Sequence, residues 1–293
     1  MKLYASNLTK QFGKKKAVNG FDYTFENGIY GLLGPNGSGK STLMRMLCDI
    51  LKPSEGTVLL NDEPIHKLDA AFRDQLGYLP QDFGYYPQFS AYDFLMYFAT
   101  LKGFSKQEAK QRVHDVLIQV NLEEEKRHKI KTFSGGMKQR LGIAQALLND
   151  PKILIVDEPT VGLDPKERSK FKNILARCAK DKIVILSTHI VSDVESIASK
   201  VIIMKEGKIN QAGTRQELIK PLEEKVFSFI CREEEISEKT RHMIVTAMIP
   251  YQNQMMIRGI SEARIADATY EVPSLEDLYL SIFREEDVCS DMK

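Results

Sequence analysis

Nine residues, GPNGSGKST at positions 34–42, constrain this chain more than any others. They hold three glycines and a lysine. Before them stands an apolar run, GIYGLL (28–33), and after them STLMRMLCDIL (41–51), with apolar residues at helical spacing. A short apolar run bounded by glycine reads as a buried strand, and Pro53 follows where a helix would end. Glycines at a strand-to-helix turn let main-chain N–H groups converge on an anion, because no Cβ blocks the approach. The helix that begins there adds about half a positive charge at its N-terminus, and Lys40 adds a full one. The loop is an anion cradle.

The spacing of Gly34, Gly39, Lys40 and Ser41 is G-x-x-x-x-G-K-[ST], the P-loop pattern, with Asn36, Gly37, Ser38 and Thr42 completing the loop. In that pattern the main chain holds ATP phosphates, the lysine reaches the β- and γ-phosphates, and the Ser41 hydroxyl can sit on Mg²⁺. A nucleotide site also needs a metal anchor and a group to position water. KILIVDEPT (152–160) offers both: an apolar strand ends in two acids, at the carboxyl edge of a parallel sheet where ligands bind. Asp157 is expected to hold Mg²⁺, directly or through its water, and Glu158 to act as general base.

The remaining composition bounds the partners. A chain of 293 residues holds one large domain or two. Lys plus Arg is 41 and Asp plus Glu 40, so no overall charge draws it to nucleic acid or membrane; Lys14, Lys15 and Lys16 read as a solvated turn. None of the cysteines, Cys48, Cys178, Cys231 and Cys289, forms a C-x-x-C pair. Cys48 reads as core, and a reducing compartment is favoured. The N-terminus carries no signal-length apolar run, and nowhere are there the ~18 consecutive apolar residues of a spanning helix. The expectation is a cytoplasmic protein that reaches a membrane only through a partner.

Along the chain, LGYLP (76–80), Ile153 to Val156 and Ile183 to Leu186 read as strands buried on both faces. Residues from about 87 to 150 read as helical. Ser105 with Glu108 forms a capping-box pattern, followed by the apolar face Ala109, Val113, Val116, Leu117 and Val120. VIIMKEGKINQAG suggests a hairpin around Glu206 and Gly207, and Thr214 with Glu217 a second capping box. After about residue 222 come four short strand patterns and a last helix, SLEDLYLSIF. The fold class is α/β: a nucleotide-binding domain over 1–221 and a small α+β domain over 222–293.

These motifs, in this order, resemble the nucleotide-binding subunits of ATP-binding cassette (ABC) transporters over roughly residues 1–215. TFSGGMKQR carries Ser134, Gly135 and Gly136 in the place of the family signature. Gln81 stands at the Q-loop, Asp164 in the D-loop, His189 at the switch histidine, and Phe12 where an aromatic stacks on adenine. Phe12 stands where tyrosine is commoner, Phe133 where leucine is, and Met137 where glutamine is. The resemblance implies the P-loop ABC-ATPase fold, with a mixed sheet core and a helical subdomain. It further implies a head-to-tail dimer, of identical or paralogous subunits, in which each signature closes on the γ-phosphate held by the other. His189 would contact that phosphate and the D-loop, and Gln81 would touch Mg²⁺. The signature has physics of its own: glycines opening a helix, at Met137 onward, make a second anion site.

Residues 83–98, FGYYPQFSAYDFLMYF, hold eight of the 25 aromatics. They suit either a packed subdomain or a groove for a permease helix, and the resemblance implies docking onto transmembrane permease subunits. EVPSLEDLYLSIF resembles the tail of ABC-2 type exporter subunits. The expectation is an ATPase subunit, on the inner face of the cell membrane, that drives a separate permease. The alternatives are a soluble ABC ATPase acting on ribosomes or DNA, and a non-catalytic ATP-binding regulator. No nucleic-acid partner is expected.

Overall fold

The computed structural model describes residues 1–265 and 267–283; Cys289 lies outside the described residues. Two compact units form, Met1–Asn210 and Gln211–Lys293. The division falls before the 221/222 boundary suggested by the sequence pattern, because the helix Arg215–Ile219 packs against the helix Leu275–Phe283 and goes with the second unit.

The first unit has strands β1 (Leu3–Phe12), β2 (Lys15–Phe25), β3 (Gly28–Leu33), β4 (Glu55–Leu60), β5 (Glu63–Pro64), β6 (Leu76–Leu79), β7 (Ile153–Asp157), β8 (Ile183–Thr188) and β9 (Lys200–Lys205), and β10 (Lys208–Gly213) spans the division. Its helices are α1 (Lys40–Leu47), α2 (Ile65–Leu68), α3 (Ala70–Gln75), α4 (Ala91–Leu101), α5 (Lys106–Gln119), α6 (Gly135–Leu147), α7 (Pro165–Cys178) and α8 (Val191–Glu195). One sheet runs β2-β1-β4-β5 and is antiparallel. The other runs β10-β9-β3-β8-β7-β6, with its pairs from β9 to β6 all parallel. Ile153 to Val156 are fully buried, and so are Ile183 to Ile185, as strands covered on both faces must be. Parallel pairing brings the carboxyl ends of β3, β6, β7 and β8 to one edge, and the site is built there.

The hairpin β1–β2 is absent from the sequence pattern for a physical reason. Its register shifts three times between Ala5 and Gln11, which breaks the period-two alternation. Only Lys14 of the lysine run lies in the turn; Lys15 and Lys16 open β2. The Ser105–Glu108 capping box forms on α5, and Ala109, Val113, Val116 and Leu117 are buried beneath it. Cys48 is core; burial, then the Asp157 charge, pushes its thiol well above the usual value.

The second unit contains α9 (Arg215–Ile219), β11 (Val226–Cys231), α10 (Ile236–Lys239), β12 (Ile244–Tyr251), β13 (Gln254–Ile260), β14 (Thr269–Tyr270) and α11 (Leu275–Phe283). Its antiparallel sheet runs β12-β13-β11-β14. Asp277 of α11 is 2% exposed. It accepts hydrogen bonds from Arg258 Nη2 at 2.8 Å, Ser274 Oγ at 2.7 Å and Thr246 Oγ1 at 2.8 Å. Burial works to raise the Asp277 pKa, but the bonds from Arg258, Ser274 and Thr246 outweigh it and hold the carboxyl below its ordinary value. A lowered folded pKa contributes stability above the ordinary carboxylate value, near 4, that is lost as pH falls through the folded one. Asp277→Ala is expected to destabilise this unit by about 3 kcal/mol, the low end for breaking a buried pair, since Arg258 keeps some solvent. Denaturant unfolding followed by amide exchange in β12 and β13 checks this, and the gap to wild type should narrow below pH ~4.

Candidate active site

The loop between β3 and α1 has the conformation that its glycines permit. Gly39 sits at φ +104° and Gly37 at φ +82°, both left-handed. A Cβ on Gly39 would lie 2.3 Å from the Ala17 carbonyl oxygen. Gly39 is the N-cap of α1, which has no side-chain cap, so the first-turn amides point outward without acceptors of their own. Lys40 is 5% exposed and folds back to donate to the Gly34 carbonyl at 2.7 Å and the Pro35 carbonyl at 3.2 Å.

The acids arrive from the parallel sheet. Asp157 pairs in register with Ser187 of β8, and Leu33 with Thr188. Ser41 Oγ donates to Asp157 Oδ1 at 3.3 Å across 116 residues of sequence. Glu158 turns off the end of β7 with φ +47°, a conformation that carries strain for a residue with a Cβ. It is 5% exposed. Its Oε1 lies 3.4 Å from Lys40 Nζ and its Oε2 2.9 Å from His189 Nδ1. Lys40, Glu158 and His189 therefore form one connected chain. His66, His114, His128 and His242 are exposed, with no place in it.

A cleft of about 310 Å³ opens over this chain, lined by Phe12, Lys15, Ala17, Asn36, Gly37, Gly39, Lys40, Ser41, Thr42, Gln81 and Glu158. Phe12 is 53% exposed, and Lys10 Nζ lies over its ring, 5.4 Å from the centre. Ser134, Gly135 and Gly136 do not line the cleft. Ser134 caps α6 by accepting from the Met137 amide at 3.2 Å, and it and Gly135 are exposed. Asp164 caps α7, accepting from the Glu167 amide at 2.9 Å. A Cβ on Gly136 would lie 2.5 Å from Glu167 Oε2, so α6 and α7 meet closely here, with the Glu167 side chain against the Gly136 backbone. The signature and the loop ending at Asp164 are thus neighbours, away from the P-loop cleft. Phe133 and Met137 pack into the core of the helical layer, where their departures from the commoner residues are matters of packing.

Ser187 is the residue that sequence reasoning missed. It is fully buried; its Oγ donates to Asp157 Oδ1 and accepts from the Glu158 amide at 3.2 Å. One hydroxyl on β8 thereby fixes both acids. The signal was a pair of hydroxyls, Ser187 and Thr188, closing the apolar run before His189. Lys15 of the cleft was hidden in what read as a solvated lysine turn.

Comparison with known proteins gives the family. The ABC transporter family model matches residues 18–161. An uncharacterized ABC transporter ATP-binding protein of Bacillus subtilis, YxlF, is 35% identical over 300 residues, covering 96% of this chain and 99% of its own length. A Nod factor export ATP-binding protein I of Burkholderia lata is 37% identical over 215 residues, covering 73% of this chain and 71% of its own. Among solved structures, a dimeric post-hydrolysis state of an ATP-binding cassette with ADP and Pi bound has a TM-score of 0.65 at 28% identity, covering 72% of this chain and 98% of that one. The P-loop cradle, the two acids at the strand ends and full-length likeness to a cassette protein together make this chain a member of the ABC transporter family, an ATP-binding and ATP-hydrolysing subunit.

Proposed function

We propose that this chain powers an exporter: two subunits close around ATP, and the closure and its reversal on hydrolysis drive a separate transmembrane permease. One observation supports this most. The P-loop cleft holds Lys40, Ser41 and Glu158, while Ser134, Gly135 and Gly136 lie outside it, so each chain carries two complementary halves of a site. Head-to-tail pairing of two copies would make both halves complete.

The residues divide the work by chemistry. Amides of 36–42 and Lys40 would hold the phosphates, with Phe12 against the adenine. Ser41 and Asp157, already 3.3 Å apart, and Gln81 on the cleft wall are hard oxygen donors that fit Mg²⁺. When bound, Mg²⁺ would neutralise charge on the phosphate oxygens. Glu158 would take the proton of the attacking water, and His189, 2.9 Å from it, would orient the carboxylate and reach the γ-phosphate. Ser134, Gly135 and Gly136 of a second subunit, with the α6 dipole, would stabilise that phosphate from the other side, and Asp164 would stand at the joint between subunits.

Export is supported by the printed function of the Burkholderia lata relative. No helix among the described residues is long and apolar enough to cross a membrane. In this reading a separate permease chain would hold the subunit against the membrane's inner face. The rings of Tyr86, Phe89 and Tyr97 cluster, two of the pairs edge to face, with centres 5.0–6.3 Å apart, yet they are 48%, 36% and 41% exposed. Such a ring cluster suits a docking surface for a permease helix. Tyr97→Glu is expected to leave basal ATPase activity unchanged and to move the protein from the membrane fraction to the soluble one. Co-sedimentation of the wild type with ribosomes instead would contradict the proposal.

A further inference from the structure

Asp193 of α8 is completely buried. Its Oδ2 accepts from Thr160 Oγ1 at 2.5 Å. Its Oδ1 faces Lys172 Nζ at 3.7 Å and Arg168 Nε at 3.9 Å, both on α7. Neither Asp193 Oδ1 nor Arg168 Nε has a hydrogen-bond partner among the described residues. A carboxylate held by a single hydroxyl and two cations beyond hydrogen-bond reach is a poor way to stabilise a core; an apolar side chain would fill the space at less desolvation cost. Position, rather than stability, explains its presence better.

The three elements that meet at this carboxylate are the three that frame the reacting end of the site. Thr160 follows Glu158 by two residues. The helix of Asp193 begins two residues after His189. Arg168 and Lys172 belong to the helix that Asp164 caps. We propose that Asp193 is a positioning residue for ATP hydrolysis: it fixes the Glu158 loop against the His189 segment and ties both to α7. It acts through Glu158 and His189, so the proposal rests on their roles as given above. The unfinished ion pair with Arg168 leaves room for the joint to tighten when α7 shifts, which couples the helix behind Asp164 to the geometry of the base.

Asp193→Asn keeps the size and one acceptor oxygen while removing the charge that faces α7. In the purified full chain it is expected to lower kcat by roughly 10–100-fold, the scale of a small misplacement transmitted to a reacting group. The Kd for a non-hydrolysable ATP analogue should stay within about two-fold of wild type, because the cradle is untouched. Thr160→Val should give a similar loss, and the double variant little more than either alone; Thr160→Val also carries the test if Asp193→Asn does not fold. Wild-type kcat in either folded variant overturns the proposal, and so does a parallel fall in kcat and analogue affinity, which would mark general damage. Glu158→Gln, assayed beside them, separates the two levels. If it keeps turnover, the site assignment fails; if it loses turnover while Asp193→Asn keeps it, only the role of Asp193 fails.

Discussion

Glu158→Gln is expected to bind ATP with near-wild-type affinity and to lose turnover by roughly 10²–10⁴-fold, the contribution of a positioned general base. The amide keeps the shape of the side chain and can still bond His189 Nδ1, but it has no lone pair basic enough to take a proton from water. Binding should survive because, on the proposed assignment, the phosphate contacts would come from amides of the loop and from Lys40, not from Glu158. Phosphate release measured under single-turnover conditions isolates the chemical step from product release. Near-normal release by this variant would remove Glu158 from the role of base. With hydrolysis blocked and binding intact, the protein should also accumulate as an ATP-dependent dimer, seen by size-exclusion chromatography.

The second large effect is on binding itself. Lys40→Ala is expected to weaken ATP affinity by roughly 10–100-fold, the range for losing charge-assisted hydrogen bonds to phosphate. Lys40 is 5% exposed and already held over the loop by two carbonyls, so little ordering remains to be done when a phosphate arrives. Its ammonium also sits 3.4 Å from Glu158, and a triphosphate would compete for it. On the proposed assignment the lysine would link arrival of the nucleotide to release of the base. Isothermal titration with an ATP analogue separates this variant from Glu158→Gln: one loses affinity, the other loses rate. Unaltered affinity in Lys40→Ala would contradict the cradle.

Much of the candidate nucleotide half-site was legible because its chemistry needs residue types with no common substitute. Gly39 must tolerate φ +104° beside the Ala17 carbonyl, and a strand buried on both faces shows its acids only at the end, where Asp157 and Glu158 stand. The same directness made α5 readable from Ser105 and Glu108. What was not legible lies where tertiary packing overrides local pattern. Bulges scramble the alternation of β1. Ser187 looks like any strand hydroxyl until β7 is laid beside it in register. Asp193 looks like a solvated residue of a short helix until α7 covers it. The division of the chain moved to 210/211 for a similar reason: α9 belongs with α11, a partnership across a long stretch of sequence.

The most direct test of the two-copy site is a crystal structure of Glu158→Gln grown with ATP and Mg²⁺. Ser134 and the Gly135 and Gly136 amides of one subunit are predicted to lie within hydrogen-bond distance of the γ-phosphate held by Lys40 of the other. An ATP-bound assembly in which every Ser134 loop faces bulk solvent would contradict it.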